Sequence, residues 1–345
     1  MGIKKRIGPQ TVRFSSPPAV LSCACAAGVK ECQGPLGKCV DVPCEDDLLG
    51  QDSWEKAESQ LQRYALDAVL RKAGAEADSL DVIFAGDLLN QCIGSSFGLR
   101  DAGAPFYGLY GACSTMSESL SLAAMSIDGG FAKRAMAITS SHYCSAERQF
   151  RLPIDYGAQR APTAQWTVTG SGAVLLEKKK PRPAASGVHI THVTTGKIID
   201  AGITDSSNMG AAMAPAAYDT LSAFFNESGL GPEKHDLIVT GDLGAVGMQI
   251  VRDLFLDDGV DLGKRYNDCG VMVFDLDKQD VHAGGSGCGC SAVVLCGHII
   301  NEMRAGTWKN VLFCGTGALL SQVSSLQGDS IPGICHLVRF SSEVM

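Results

Sequence analysis

The chain has 345 residues, of which 45% are hydrophobic and 19% charged, with 40 glycines, 14 cysteines and a net charge of −8. That content excludes a disordered chain, and the length exceeds one domain of ~100–200 residues. The glycines follow no Gly-x-y period, and the acidic balance excludes a general nucleic-acid binder, which needs a basic excess against phosphate.

From the N-terminus, Lys4, Lys5 and Arg6 precede an apolar run, Ala19–Ala27, in an order that imitates a signal peptide. Pro17-Pro18 interrupts it, so the run is expected to form a buried first strand. No stretch reaches the ~18–20 apolar residues of a membrane span, so any membrane association is expected to be peripheral. Asp52 and Ser53 then precede apolar residues at three- and four-residue steps (Trp54, Ala57, Leu61, Tyr64, Ala65, Ala68), which predicts a helix stopped by Gly74. Asp81–Leu88 follows as a buried strand and its turn.

Gly108–Thr115 is the sharpest local signal. An apolar segment runs into Gly111, and Cys113 stands at the start of a helix with an inner face of Met116, Leu120, Ala123, Ala124 and Ile127. A cysteine there faces the positive end of the helix dipole, which is expected to lower its pKa and make it a nucleophile. The bland alternative is that Cys113 merely packs. Ser140–Arg151 comes next, continuing to Arg160 and Trp166 and mixing His142, Arg148 and Arg151 with aromatics. It suits an anionic aromatic ligand, a salt-bridged surface or a dimer contact.

Lys178–Pro183 is a charged, proline-broken connector, and beyond it the chain repeats itself. Asp81–Leu88 returns as Asp236–Leu243 at an offset of 155, which also carries Ala57 to Ala212, Leu66 to Leu221 and Gly74 to Gly229. The second helix is expected around Met213–Phe225, with Pro215 in its first turn. Gly170–Leu176 and Gly315–Leu320 look like a further pair of copies. Short continuous apolar runs alternating with helices imply a layered α/β fold, divided as residues 1–180 and 181–345, with a site at the junction.

In the second half, Asp280–Cys290 is dense in glycine before an apolar helix, so backbone N–H groups are available to an anion. His282 is a candidate acid, base or donor, with Gly284, Gly285 and Ser286 beside it. Cys92, Cys296 and Cys314 lie in apolar runs as small hydrophobes. The Cys23/Cys25 and Cys288/Cys290 pairs lack zinc spacing, so no metal site and a reduced setting are expected. No phosphate-binding or dinucleotide-binding glycine motif is present, and no cofactor is predicted.

The duplicated halves, Tyr110–Met116, His282–Ala292 and the closing Cys314–Ala318 resemble the thiolase and ketoacyl-synthase superfamily. Ser53–Glu58, Gly86–Gln91, Ser140–Phe150, Thr167–Gly170, Asn208–Ala217, Thr240–Gly244 and Ile331–His336 narrow the resemblance to the stage V sporulation protein AD family of endospore-forming bacteria. The resemblance implies a thiolase-like fold: two duplicated halves in a five-layer α-β-α-β-α sandwich, usually dimeric. It implies binding of dipicolinic acid (pyridine-2,6-dicarboxylate), as the free acid or its calcium chelate, and help in its uptake into the developing spore. It further implies peripheral placement at the forespore or spore inner membrane beside the SpoVA membrane proteins.

By the same resemblance Cys113 takes the position of the superfamily nucleophile and His282 that of the thiolase histidine, while Cys314 lies near the second thiolase cysteine. Gly241–Gly244 replaces the His-Gln-Ala-Asn of related synthases, so that partner is missing. Two functions stay open. One is a non-catalytic dipicolinate receptor using Cys113, Ser114, His142, Arg148, Arg151, His282, Gly284, Gly285 and Ser286. The other is a cysteine-dependent acyltransferase or condensing enzyme acting on an acyl-CoA.

Overall fold

The 155-residue offset is preserved in three dimensions. In the computed structural model, which describes residues 5–150, 160–178 and 187–343, the first half runs β1 (Ala19–Ala27), α1 (Trp54–Ala73), β2 (Val82–Gly86), α2 (Ile93–Leu99), β3 (Phe106–Leu109), α3 (Thr115–Asp128), β4 (Arg134–Ser141), α4 (Tyr143–Phe150) and β5 (Gly170–Glu177). The second runs β6 (His189–Thr194), α5 (Met209–Ser228), β7 (Leu237–Thr240), α6 (Gly244–Asp257), β8 (Tyr266–Asp268), α7 (Cys288–Val294), β9 (Asn310–Ala318) and β10 (Gly333–Ser341). Strand order is β1-β5-β4-β2-β3 in one half and β6-β10-β9-β7-β8 in the other, the same arrangement twice. Between them β1 and β6 touch at one pair, Ala19 and His189.

Helices α1 and α5 show why the repeat is stable. Both span 20 residues. The Ser53 hydroxyl accepts from Lys56 N at 3.4 Å and the Asn208 amide oxygen from Ala211 N at 3.3 Å, each filling one orphan donor of the first turn. Gly74 and Gly229 end the helices at φ 60° and 69°, where a side chain would be strained. Pro215 sits in the second turn of α5 rather than the first, because the helix begins at Met209. The Ala211 carbonyl therefore loses its usual N–H partner.

A second pair of pins recurs. Asp81 Oδ2 accepts from Lys133 N and Arg134 N at 2.6 and 2.9 Å, and Asp236 Oδ2 from Lys309 N and Asn310 N at 2.8 and 2.9 Å. Each acid fixes the entry into the fourth strand of its sheet.

Helix α3 packs on β2 and β4 of its own sheet and on β9 and β10 of the other; α7 packs beside it against β1, β4 and β5. These two form the middle layer. Helices α1 and α2 cover the outer face of one sheet, and α5 and α6 that of the other, completing five layers. The glycine-rich copies at Gly170 and Gly315 are not duplicates, since one opens a fifth strand and the other ends a fourth. They are alike because both backbones press on the middle layer: a Cβ on Gly172 would meet Ala292 O at 2.5 Å, and one on Gly315 would meet Ser117 Oγ at 2.5 Å.

All fourteen cysteines are free thiols, ten of them buried. None of the helices among the described residues is long and apolar enough to cross a membrane.

Candidate functional site

Strand β3 ends at Leu109, and the chain turns tightly into α3. Gly111 N donates to Thr115 Oγ1 at 3.1 Å, Ser114 Oγ to Gly111 O at 2.6 Å and Thr115 Oγ1 to Ala112 O at 2.6 Å. Ala112 is held at φ 49°, a left-handed conformation uncommon for a non-glycine residue. This knot lifts Cys113 into a narrow cleft between the halves, with about 50 Å³ open to the centre of a water-sized molecule. The walls are largely apolar: Leu88, Tyr110, Ala146, Phe150, Met209 and Leu320, with Thr167, Ser206, Ser286 and Glu147 among them.

Beneath the floor lies Asp242, just after β7 and wholly buried. Its Oδ1 accepts from Thr316 Oγ1 at 2.8 Å, and its Oδ2 from Gly287 N at 2.8 Å and Ser286 Oγ at 3.4 Å. The Cys113 thiol is buried near the same carboxyl and feels its charge. The site is thus built from segments of both halves.

The electrostatics run against the expectation for Cys113. Burial, then the nearby Asp242 carboxyl and Cys288 thiol, push its thiol well above the ordinary value of 9.0, overriding the Gly287 N–H that favours thiolate. Burial raises Asp242 to about 6, the hydrogen bonds to it opposing. The carboxyl of Asp268, buried next to it, stands at about 7 for the same first reason. A helix start does not activate a thiol that faces a carboxyl in a dry site.

Of the remaining candidates, Ser286 lines the cleft. Ser114 lies next to Cys113, its hydroxyl committed to Gly111 O. Gly285 belongs to a two-residue strand paired with Trp166, and a Cβ on Gly284, at φ 112°, would strike Gly270 O at 2.6 Å. Their glycine density serves packing between segments.

His282 is not among the cleft-lining residues; its Nε2 stands 3.5 Å from Asp280 Oδ1 on a partly exposed turn. His142 is buried, with Nε2 2.7 Å from Asp47 O and Nδ1 accepting from Cys144 N at 3.2 Å. Burial lowers its pKa. Arg148 pairs with Glu55 and lies over the Trp54 ring, on the face of α4 away from Ala146, Glu147 and Phe150. Arg151 and most of the connector after Lys178 lie outside the described residues. Cys314 is buried in β9, with the buried Cys335 thiol nearby.

Sequence reasoning assigned no role to Asp242, the carboxyl buried beneath the cleft. A signal existed, because Gly86-Asp87 and Gly241-Asp242 are equivalent by the repeat and both carboxylates are buried. Asp87 accepts from Leu89 N, Ser95 N and Ser95 Oγ at 2.8, 2.7 and 2.6 Å, so it serves its own turn. Among the described residues no cluster of His, Cys, Asp and Glu could hold a metal ion.

Comparison with known proteins agrees with this architecture. The family model for stage V sporulation protein AD matches residues 8–341. The stage V sporulation protein AD of Bacillus subtilis (strain 168) is 45% identical over 336 residues, covering 97% of this chain and 98% of that protein. Among solved structures, a Xanthomonas campestris OleA is similar at TM-score 0.62 and 13% identity, with 95% of this chain and 99% of that one covered. The 3-oxoacyl-[acyl-carrier-protein] synthase III of Aquifex aeolicus VF5 is similar at TM-score 0.57 and 12% identity, covering 94% and 99%. These two likenesses establish the thiolase-like condensing-enzyme fold.

Proposed function

Because the chain belongs to the stage V sporulation protein AD family and so acts in sporulation, we propose that it binds dipicolinic acid and supports its uptake into the developing spore. The observation that carries the choice of receptor over enzyme is the partner of Cys113. A condensing enzyme needs a thiolate and a base to make it. Here the thiol faces the buried Asp242 carboxyl, burial and that carboxyl disfavour its thiolate, and none of the described cleft-lining residues is a histidine.

The walls favour a flat, partly apolar ligand. Tyr110 and Phe150 offer ring contacts, and Ser286, Thr167 and Cys113 offer a few polar ones. The ligand enters either as the free acid or as its calcium chelate. Peripheral placement at the spore inner membrane, beside SpoVA membrane proteins, goes with this role. A homodimer is supported by β3, a sheet-edge strand with Tyr107 62% exposed and Phe97 53% exposed on neighbouring α2.

The test is a fluorescence or heat titration of dipicolinate, with and without calcium, into the protein and into Cys113→Trp, which fills the cleft. Saturable binding lost in the variant is expected; no binding by the folded wild type under either condition overturns the reading. The acyltransferase reading keeps one observation in its favour, the strained turn that presents Cys113. It requires a thioester adduct on Cys113 after exposure to a panel of acyl-CoAs, and an unchanged intact mass removes it.

A further inference from the structure

The cleft has a larger neighbour. A groove with about 410 Å³ open to the centre of a water-sized molecule runs along the opposite face of α4. The two hollows share walls residue by residue: Leu88, Ala146, Phe150 and Leu320 line the cleft, while Leu89, Ser145, Gln149 and Gln322 line the groove. Gln149 holds the shared wall together. Its Nε2 donates to Leu88 O at 3.0 Å, its Oε1 accepts from Asn90 N at 3.0 Å, and its carbonyl accepts from Gln322 Nε2 of the second half.

The linings differ in kind. The cleft is largely apolar, whereas Asn90, Gln91, Ser145, Gln149 and Gln322 line the groove together with Arg148. Among the described residues lining either hollow, Arg148 is the one cation. Its guanidinium carbon lies 5.4 Å from the centre of the Trp54 ring, and its Nη2 bonds the Glu55 carboxylate. That contact takes a single nitrogen, so the Nε and Nη1 hydrogens have no partner among the described residues. A guanidinium fixed by one ring and one acid still presents N–H groups to a second carboxylate.

Asn90 and Gln91 are exposed, and their side-chain amides bond no other described residue. The backbone beneath them is strained: Gln91 and Cys92, consecutive non-glycine residues, are both left-handed at φ 58° and 52°. Strain of this kind gathers at binding surfaces, where the surrounding structure imposes it.

We propose that the groove is a second subsite for a carboxylate anion, centred on Arg148 and adjoining the cleft across α4. Glu55 competes for the same guanidinium and keeps the hold weak. The choice of a dicarboxylate as occupant rests on the dipicolinate reading; the capacity to hold a carboxylate does not.

The test reads Arg148 directly. Phenylglyoxal, which modifies guanidinium groups, is applied with and without dipicolinate or isophthalate, and each modified arginine is located by mass spectrometry. At about ten times its half-protecting concentration, either anion should slow Arg148 about tenfold and leave the exposed Arg71 unchanged. Protection should persist in Cys113→Trp, whose cleft is filled, and disappear in Asn90→Trp, whose groove is filled. Glu55→Gln should lower the half-protecting concentration about threefold, a gain that a merely structural pairing would not give.

No slowing by either anion, equal slowing of Arg71 and Arg148, or protection lost in Cys113→Trp overturns the proposal. Full protection in Asn90→Trp does the same. Should that variant fail to fold, Glu55→Gln decides, and an unchanged half-protecting concentration overturns it. If dipicolinate titrations of wild type and Cys113→Trp are identical while Arg148 is protected, the cleft reading falls and the groove stands. Binding lost in Cys113→Trp with Arg148 unprotected in the wild type keeps the cleft reading and removes the groove.

Discussion

Asp268→Asn isolates one buried carboxyl that shapes the floor of the cleft. In the wild type Asp268 Oδ1 accepts from Gly244 N at 3.0 Å and Gly270 N at 2.9 Å, and Oδ2 from Leu243 N at 2.9 Å and Thr240 Oγ1 at 2.6 Å. Burial lifts its pKa from 3.8 to about 7. The folded protein therefore keeps a proton over a range where the unfolded chain has lost it. Wild-type stability must fall as pH rises from about 4 to 7 and then level off. Between pH 5 and pH 8 this amounts to about two pK units, or about 2–3 kcal/mol. D268N has no such proton. It leaves the Leu243 N–H without an acceptor, a cost of about 1–3 kcal/mol that does not change with pH. Urea unfolding of both proteins at pH 5, 6, 7 and 8 gives the difference directly. The variant should gain about 2–3 kcal/mol on the wild type across the series. A difference that moves by less than about 0.5 kcal/mol would refute the reasoning, because Asp268 would then be ionised throughout.

Phe224→Ala on α5 removes a ring with 0% exposure from the core of the second half, and denaturant unfolding should show a loss of about 3–5 kcal/mol. Gly287→Ala places a Cβ 2.6 Å from Ser141 Oγ at φ 98°; lower stability and weakened dipicolinate binding are expected, and an unchanged melting curve would contradict the packing. Tyr107→Arg introduces like charges where two β3 edges would meet, so a dimer in sedimentation experiments should shift to monomer at equal concentration. An unaltered dimer would place the interface elsewhere.

Much of the frame is legible in the amino-acid order because it rests on local devices. Ser53 and Gly74 bound α1, and the 155-residue offset then places α5 and β7 without further information. Pro215 was misjudged because the apolar pattern of α5 is blurred by small residues at its start, so the helix begins four residues before Met213. The cleft resists such reading for a different reason. Cys113, Asp242, Ser286 and Thr316 meet through tertiary packing, and nothing in the local sequence around Asp242 distinguishes it from an ordinary turn residue. His282 and Arg148 have the right chemistry for a ligand in the cleft, but a turn and a helix face direct them to Asp280 and Glu55 instead. Helix-terminus reasoning correctly located Cys113 yet misjudged its proton, since burial beside a carboxyl outweighs a dipole.

The paired acids at the strand entries carry a lesson about how the two halves could change. Asp81 and Asp236 do the same job at equivalent corners, gripping two backbone N–H groups each. Asp87 and Asp242 occupy equivalent corners too, yet one serves its own loop while the other binds Ser286, Gly287 and Thr316 beneath the cleft and lies near a thiol of the opposite half. A doubled scaffold therefore tolerates divergence unevenly. Alteration of a strand pin injures one sheet and leaves its twin as an internal control. Alteration of Asp242 has no twin to stand in for it, so the molecule is symmetric in what holds it up and singular in what it can hold.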